Sequence, residues 1–316
     1  MIEGFAALAP MAGVADRAMR EICKEHGAAF TMGELASSHG ITLNDKKSGS
    51  FLRCSEKERP FASQLFGSVP EIMAEAARTA LSFSPDFLDI NMGCPAPKVA
   101  GNGGGSALMR DPRLAAKIVR AVADAVNVPV TVKMRTGYDE EHKNAVELAK
   151  RCEDAGASMI TVHGRTRTQM YAPGVDFDTI RQVKQAVKIP VIGNGDITDG
   201  ASAKQMYERT GCDFVLVGRA ARGNPFVFDE INAYFTGAPY TPPTLEERFS
   251  ELLRQVRLMC EYKDPYNAVL EARKHTAWTI KGLRGAAALR EACENISSVA
   301  DVEAVCQKAL EQSADL

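Results

Sequence analysis

The chain has 316 residues, 45% of them hydrophobic and 25% charged, with a formal net charge of −2. That length exceeds one small core and suits a barrel of roughly 250 residues with an added module. The near-neutral charge excludes a globally basic nucleic-acid binder, so any RNA contact must come from a local patch. The cysteines are Cys23, Cys54, Cys94, Cys152, Cys212, Cys260, Cys293 and Cys306, with no C-x-x-C pair and no histidine at metal spacing. No metal site is expected. No leader and no membrane-spanning run is read, so reduced thiols, a cytoplasmic location and no membrane association are expected.

In chain order, eight short apolar runs read as strands: Phe5–Ala9, Phe30–Glu34, Phe61–Phe66, Phe87–Asn91, Val130–Met134, Met159–His163, Val191–Asn194 and Phe214–Val217. Segments of helical period separate them. Asp111 to Ala125 starts with an N-cap and Pro at the first helical position, then places Leu114, Ile118 and Val122 on one face. Glu141–Ala155 and Thr198–Arg209 behave likewise. Eight strand–helix repeats predict parallel strands closed into an α/β (β/α)₈ TIM barrel. An open doubly wound sheet is the alternative, but no G-x-G-x-x-G follows any strand and no P-loop is present. The barrel is expected over 1–236. A stiff Pro-rich connector follows at 237–243, and a small helical bundle is expected over 244–316. Thr244 with Glu247 forms a capping box that opens the tail helices.

In such a barrel the C-terminal strand ends face the active site. Strand one ends in Ala9-Pro10-Met11-Ala12-Gly13, small residues that let a flat ring approach the backbone. Gln64 lies at the end of strand three. Strand four ends in Asn91-Met92-Gly93-Cys94-Pro95, which places a thiol between a Gly and a Pro in a loop with little freedom. A buried inert Cys is the plain alternative. Lys133 and Arg135 are two apart and point to one side of strand five. His163 and Arg165 repeat the spacing on strand six. Burying isolated cations costs several kcal/mol; one such pair could be a structural ion pair, but the same spacing on two adjacent strands implies an anionic or polar ligand. Gly193-Asn194-Gly195-Asp196 and Gly218-Arg219 lie where barrels hold a phosphate, although turn geometry alone would also select these glycines. A phosphate site, an amide, a lysine and an apolar floor together suggest flavin mononucleotide (FMN).

Six motifs in order carry a family resemblance: Ala9–Asp16, Asn91–Pro95, Val132–Gly137, His163–Arg167, Asn194–Ile197 and Val217–Ala220. The chain resembles the tRNA-dihydrouridine synthases, most closely the bacterial B-type branch, over nearly its whole length and including Arg273-Lys274-His275 with Trp278. The resemblance implies FMN-dependent reduction of specific D-loop uridines in tRNA to 5,6-dihydrouridine, with NADPH or NADH as reductant. It implies that Pro10, Met11 and Ala12 lie along the flavin and that Gln64 and Lys133 bond its ring. Asn194, Gly195, Asp196, Gly218 and Arg219 would hold its ribityl and phosphate end, with His163 beside them. Cys94 would be the proton donor. Asn91, Arg135 and Arg165 would contact uracil, and Arg273 and Lys274 the tRNA. Where the commonest family pattern has Lys-Lys or Ala-Lys after Cys-Pro, this chain has Ala96-Pro97-Lys98 before the Gly-rich 101–105 stretch. That loop is expected to close over the substrate. A monomer is expected.

The chemistry stands beside the resemblance. Reducing the uracil C5=C6 bond needs a hydride at C6 and a proton at C5. A thiol titrates close enough to neutrality to serve as the acid. A stacked uridine must be extruded to reach a barrel mouth. The run from Glu271 to Arg290 holds Arg273, Lys274, Lys281, Arg284 and Arg290 with Trp278 among them. Such a face is usually only solvated, but beside a uracil site it reads as phosphate-tracking. Two rival readings are a flavin barrel acting on free pyrimidines, of the dihydroorotate dehydrogenase kind, and a non-catalytic flavin- or RNA-binding regulator.

Overall fold

The computed structural model describes residues 3–314. Eight strands form a closed barrel in sequential order, every pair parallel: β1 (Ala6–Leu8), β2 (Thr31–Ser37), β3 (Phe61–Phe66), β4 (Phe87–Met92), β5 (Val130–Arg135), β6 (Met159–His163), β7 (Val191–Asn194) and β8 (Phe214–Val217). The expected (β/α)₈ barrel with a following helical bundle is what is found. Helices between strands bury one stripe against the outer barrel face. The helix Pro112–Ala125 shows why: Asp111 caps it through Leu114 N at 3.0 Å, and Ile118 and Val122 are fully buried.

Two boundaries differ from the sequence reading by more than two residues. β2 runs on to Ser37 because its register slips between Met32 and Leu35, where Gly33 lies against the Phe61 ring. The helix expected from Glu141 begins at Ala145. Asp139 Oδ1 takes the amides of Glu141 and His142 at 3.1 and 2.9 Å, which holds that stretch in a turn.

Strand alternation divides the core. Leu88, Ile90, Val132, Met134, Ile160 and Val162 pack outward against the helices. Ala7, Ala9, Phe30, Ala62, Ile192 and Leu216 form a separate apolar cluster. Ala62 and Ile192 lie two residues before Gln64 and Asn194, hence on the same strand face. The barrel interior is therefore apolar at one end and polar towards the strand C-termini.

Beyond the helix Val227–Thr236, residues 237–243 are irregular. Four helices follow: Leu245–Tyr262, Pro265–Thr279, Ala286–Glu294 and Val299–Ala314. The capping box is present, with Thr244 Oγ1 on Glu247 N and Glu247 on Thr244 N. Phe249, Leu252, Val256, Leu289, Ile296 and Val302 share a core. Met259 and Ala268 pack on Ala18 of the barrel helix Arg17–Glu25, and Lys263 bonds Asp16 at 2.7 Å. No helix among the described residues is long and apolar enough to cross a membrane.

Candidate active site

Strand register assembles the site. Asn91 pairs with Lys133, Arg135 with His163, and His163 with Asn194 across β4 to β7. A cavity of about 830 Å³ opens here, within the size range of small-molecule pockets. Pro10, Met11, Ala12, Gln64, Lys133, His163, Asn194, Gly195, Asp196, Gly218 and Arg219 line it, as do Asn91, Cys94 and Arg135.

The Cys94 loop is held from three sides. Asn91 Oδ1 accepts the amides of Gly93 and Cys94 at 3.2 and 2.9 Å, a turn that fixes the thiol-bearing residue. Arg135 Nε donates to Gly93 O at 2.8 Å. Ser106 N donates to Cys94 O at 3.0 Å. The Gly-rich stretch thus folds back onto the cysteine backbone. Gly105 has φ +55°, and a Cβ there would stand 2.7 Å from Cys94 O, so glycine is required. Cys94 itself is half-buried.

The facing wall is cationic. Lys133, Arg135, Arg219, Arg222 and Lys281 line the cavity against one acid, Asp196. Lys133 Nζ donates to Asn194 Oδ1 at 3.0 Å. Burial, helped by Arg135, pushes Lys133 down to about 8, against the attraction of Asp89 and Cys94. His163 is driven far below its ordinary value by burial and then by Lys133, Arg135, Arg165 and Arg219, so its imidazole is neutral. A neutral His among cations and a lysine near its titration point both mark a site prepared for an anion.

The glycines fit a phosphate end. Gly195 has φ +136°, a conformation closed to ordinary side chains. A Cβ on Gly218 would project beside Ala9 and Met11, nearest atoms 3.8 and 3.9 Å away, so glycine there widens the cavity floor. Ala9, Pro10, Met11 and Ala12 give that floor an apolar surface. The apolar floor and the glycine turns thus share one cavity.

Three sequence-based expectations need correction or refinement. Arg165 does not line the cavity. β6 ends at His163, and Arg165 N turns back to His163 O at 2.7 Å, so strand alternation stops before it. Its side chain is 1% exposed, pairs with Asp196 and donates to Ala172 O at 2.7 Å. It lies behind the wall, held by Asp196 and Ala172. Arg135 lines the cavity, but its guanidinium is engaged by the carbonyls of Gly93, Thr166 and Met170. Asp196 and Arg219 bond each other at 2.6 Å, so the carboxylate orients the arginine fork. The sequence reading also passed over Arg222 and Tyr171. Arg222 lies one helical turn beyond Arg219 and covers the Trp278 ring at 4.8 Å. Tyr171 lies 4.8 Å from the Arg219 guanidinium on a loop with no periodic signal.

A sequence model of the family described as Dihydrouridine synthase (Dus) matches residues 7–315. The chain belongs to the dihydrouridine synthase family. It is 41% identical over 300 residues to tRNA-dihydrouridine synthase B of Pseudomonas aeruginosa, covering 95% of this chain and 90% of that one. The protein of the same name from Vibrio vulnificus is 42% identical over 275 residues, covering 87% of this chain and 85% of that one. Among solved structures, histamine dehydrogenase from Rhizobium sp. 4-9 superposes with a TM-score of 0.53 at 15% identity. The match covers 71% of this chain and 44% of that longer one, a likeness of fold.

In this member of the dihydrouridine synthase family the tail helix Pro265–Thr279 runs past the cavity mouth. Lys274 lies by the loop after β1, where a Cβ on Gly13 would stand 2.8 Å from its Nζ. Trp278 sits under Arg222, and Lys281, exposed, reaches the cavity. Arg273 is half-buried, with Nε on Ile296 O at 2.9 Å. No group of three or more His, Cys, Asp or Glu side chains among the described residues is placed to hold a metal ion.

Proposed function

We propose that the protein binds FMN in the barrel cavity and reduces D-loop uridines of tRNA to 5,6-dihydrouridine, with Cys94 as the acid. The observation that carries this reading is the joint presence, in one cavity, of a braced cysteine, a cationic wall and a glycine cradle above an apolar floor. FMN, reduced by NADPH or NADH, supplies the hydride for uracil C6. Gln64 and Lys133 bind the ring edge. Asn194, Gly195, Asp196, Gly218 and Arg219 hold the ribityl phosphate, with His163 a neutral neighbour. Cys94 delivers the proton to C5 from the opposite side of the uracil. Asn91 keeps one N–H for the base. The cationic wall stabilises negative charge as it develops.

Mass spectrometry of the released chromophore tests the cofactor. FMN is the expected result, because Gly195 and Gly218 form one phosphate pocket. FAD, or a colourless protein that ignores added FMN, would overturn it. Incubation with NADPH and unmodified tRNA, against free uridine, separates the tRNA reading from action on free pyrimidines.

The tail contact has its own test. Arg273 and Lys274 belong to the proposed grip, but Lys281 is the exposed cation that the tail brings to the mouth. Lys281→Ala is expected to reduce the log–log salt slope of tRNA binding by about 0.7–0.9, one phosphate contact. Its melting temperature should not change. Arg273→Ala is expected to lower the melting temperature as well, because Ile296 O loses its donor. An unchanged slope for Lys281→Ala would send the search for the RNA surface elsewhere, to the Lys46-Lys47 and 165–167 loops.

A further inference from the structure

Asp89 of β4 lies beneath the cavity, 0% exposed, and the chemistry above makes no use of it. Its register neighbours are Gln64 on β3 and Thr131 on β5. Thr131 Oγ1 donates to one carboxylate oxygen at 2.6 Å, and Gln64 Nε2 donates to the other at 2.8 Å. Gln64 Oε1 accepts from Asn91 Nδ2 at 2.9 Å. Asn91 Oδ1 then accepts the Cys94 amide at 2.9 Å. One relay of side-chain bonds runs from a buried carboxylate to the reactive loop.

The relay has a direction. A primary amide has a donor end and an acceptor end of nearly the same shape, and either orientation packs equally well. A carboxylate only accepts. Both Asp89 oxygens accept, from Thr131 and from Gln64, and these bonds with the charge of Lys133 favour the carboxylate against the burial that pushes the group up to about 6. Gln64 must therefore turn Nε2 towards Asp89 and Oε1 towards Asn91. Asn91 must then turn Nδ2 towards Gln64, which leaves its oxygen for the backbone amides of the loop.

We propose that Asp89 is a positioning residue that sets the orientation of two amides, so that Gln64 presents its free N–H to the cavity and Asn91 presents its oxygen to the Cys94 loop. The ligand edge opposite Gln64 is then a hydrogen-bond acceptor. That half of the proposal rests on a flavin occupying the cavity. The half concerning Cys94 does not.

Asp89→Asn tests it at constant shape. The other acceptor of the Thr131 hydroxyl, Leu88 O, is 3.4 Å away, so Thr131 stays on the oxygen of the introduced amide, which offers Gln64 a donor. The reversal passes through both amides and brings Asn91 Nδ2 against the Cys94 N–H, two donors facing each other. The rate of Cys94 alkylation by iodoacetamide, read by peptide mass spectrometry at saturating FMN with Cys54 as internal reference, should rise up to about tenfold, the weight of one lost hydrogen bond. FMN affinity should fall by a similar factor. The double variant Asp89→Asn with Gln64→Glu restores an acceptor for Asn91 and keeps the charge. Its Cys94 rate should return to wild type while FMN affinity stays low, because the introduced carboxylate has no N–H to offer. An unchanged Cys94 rate in Asp89→Asn, a parallel rise at Cys54, or a double variant whose Cys94 rate stays high would overturn the proposal. A wild-type protein that takes up no flavin would instead sink the cofactor reading and leave the alkylation result decisive for Asp89.

Discussion

Cys94→Ala is expected to retain FMN and its reduction by NADPH, and to lose about 10²–10⁴-fold in turnover on tRNA, the usual weight of a general acid. The substitution is clean because the bonds that shape the loop end on its backbone. Asn91 Oδ1 receives the amide of residue 94, Ser106 bonds its carbonyl, and Arg135 bonds the carbonyl of Gly93. None of these needs the thiol. Flavin reduction needs no proton from the substrate side, so stopped-flow bleaching by NADPH should match wild type. Dihydrouridine in the tRNA, measured by nucleoside mass spectrometry, should nearly vanish. Wild-type turnover in Cys94→Ala would make Cys94 a packing residue and end the proposed mechanism.

The strands were legible because each is a short β-rich run bounded by turn residues, and burial on both sides leaves few polar positions within it. The cavity was legible for the complementary reason: Gln64, Asn91, Lys133 and His163 are polar at the end of such runs, where packing alone would place Val or Leu. What local sequence does not encode is register and the point where a strand stops. Arg165 follows the same i, i+2 spacing as Arg135, yet β6 ends one residue pair earlier and the side chain enters the wall. Asp89 reads as one more residue of the run Phe87–Asn91. Its importance comes from Gln64 and Thr131 standing beside it on neighbouring strands. Lys281 and Arg222 both line the mouth because the tail docks there, a tertiary placement that no window of sequence contains.

Lys133→Met is expected to stabilise the flavin-free protein and to impair the holoenzyme, two effects of opposite sign from one residue. In the free protein Lys133 is part-buried on the cavity wall, and its ammonium has one neutral acceptor, Asn194 Oδ1, at 3.0 Å. Removing that bond costs about 0.5–1.5 kcal/mol, and Asn194 faces the cavity, where water can replace the donor. Removing a part-buried charge with one neutral partner returns about 2–4 kcal/mol. The second effect is larger, so a net gain of about 1–3 kcal/mol in unfolding free energy is expected. The pH dependence identifies its origin. Lys133 titrates at about 8 in the folded chain, below its ordinary value of 10.5. Between those values the unfolded state binds more protons, so the wild-type protein gains stability as pH rises through that window. The advantage of Lys133→Met should therefore be full below pH 8 and shrink towards pH 10.5. In the proposed holoenzyme the same lysine would donate a charged hydrogen bond to the ring edge. Its loss should weaken FMN binding by about 10–100-fold. Chemical denaturation across pH, paired with FMN titration, measures both. A variant less stable than wild type at neutral pH, or one that binds FMN equally well, would show that Lys133 is held by packing and not reserved for an anionic ligand.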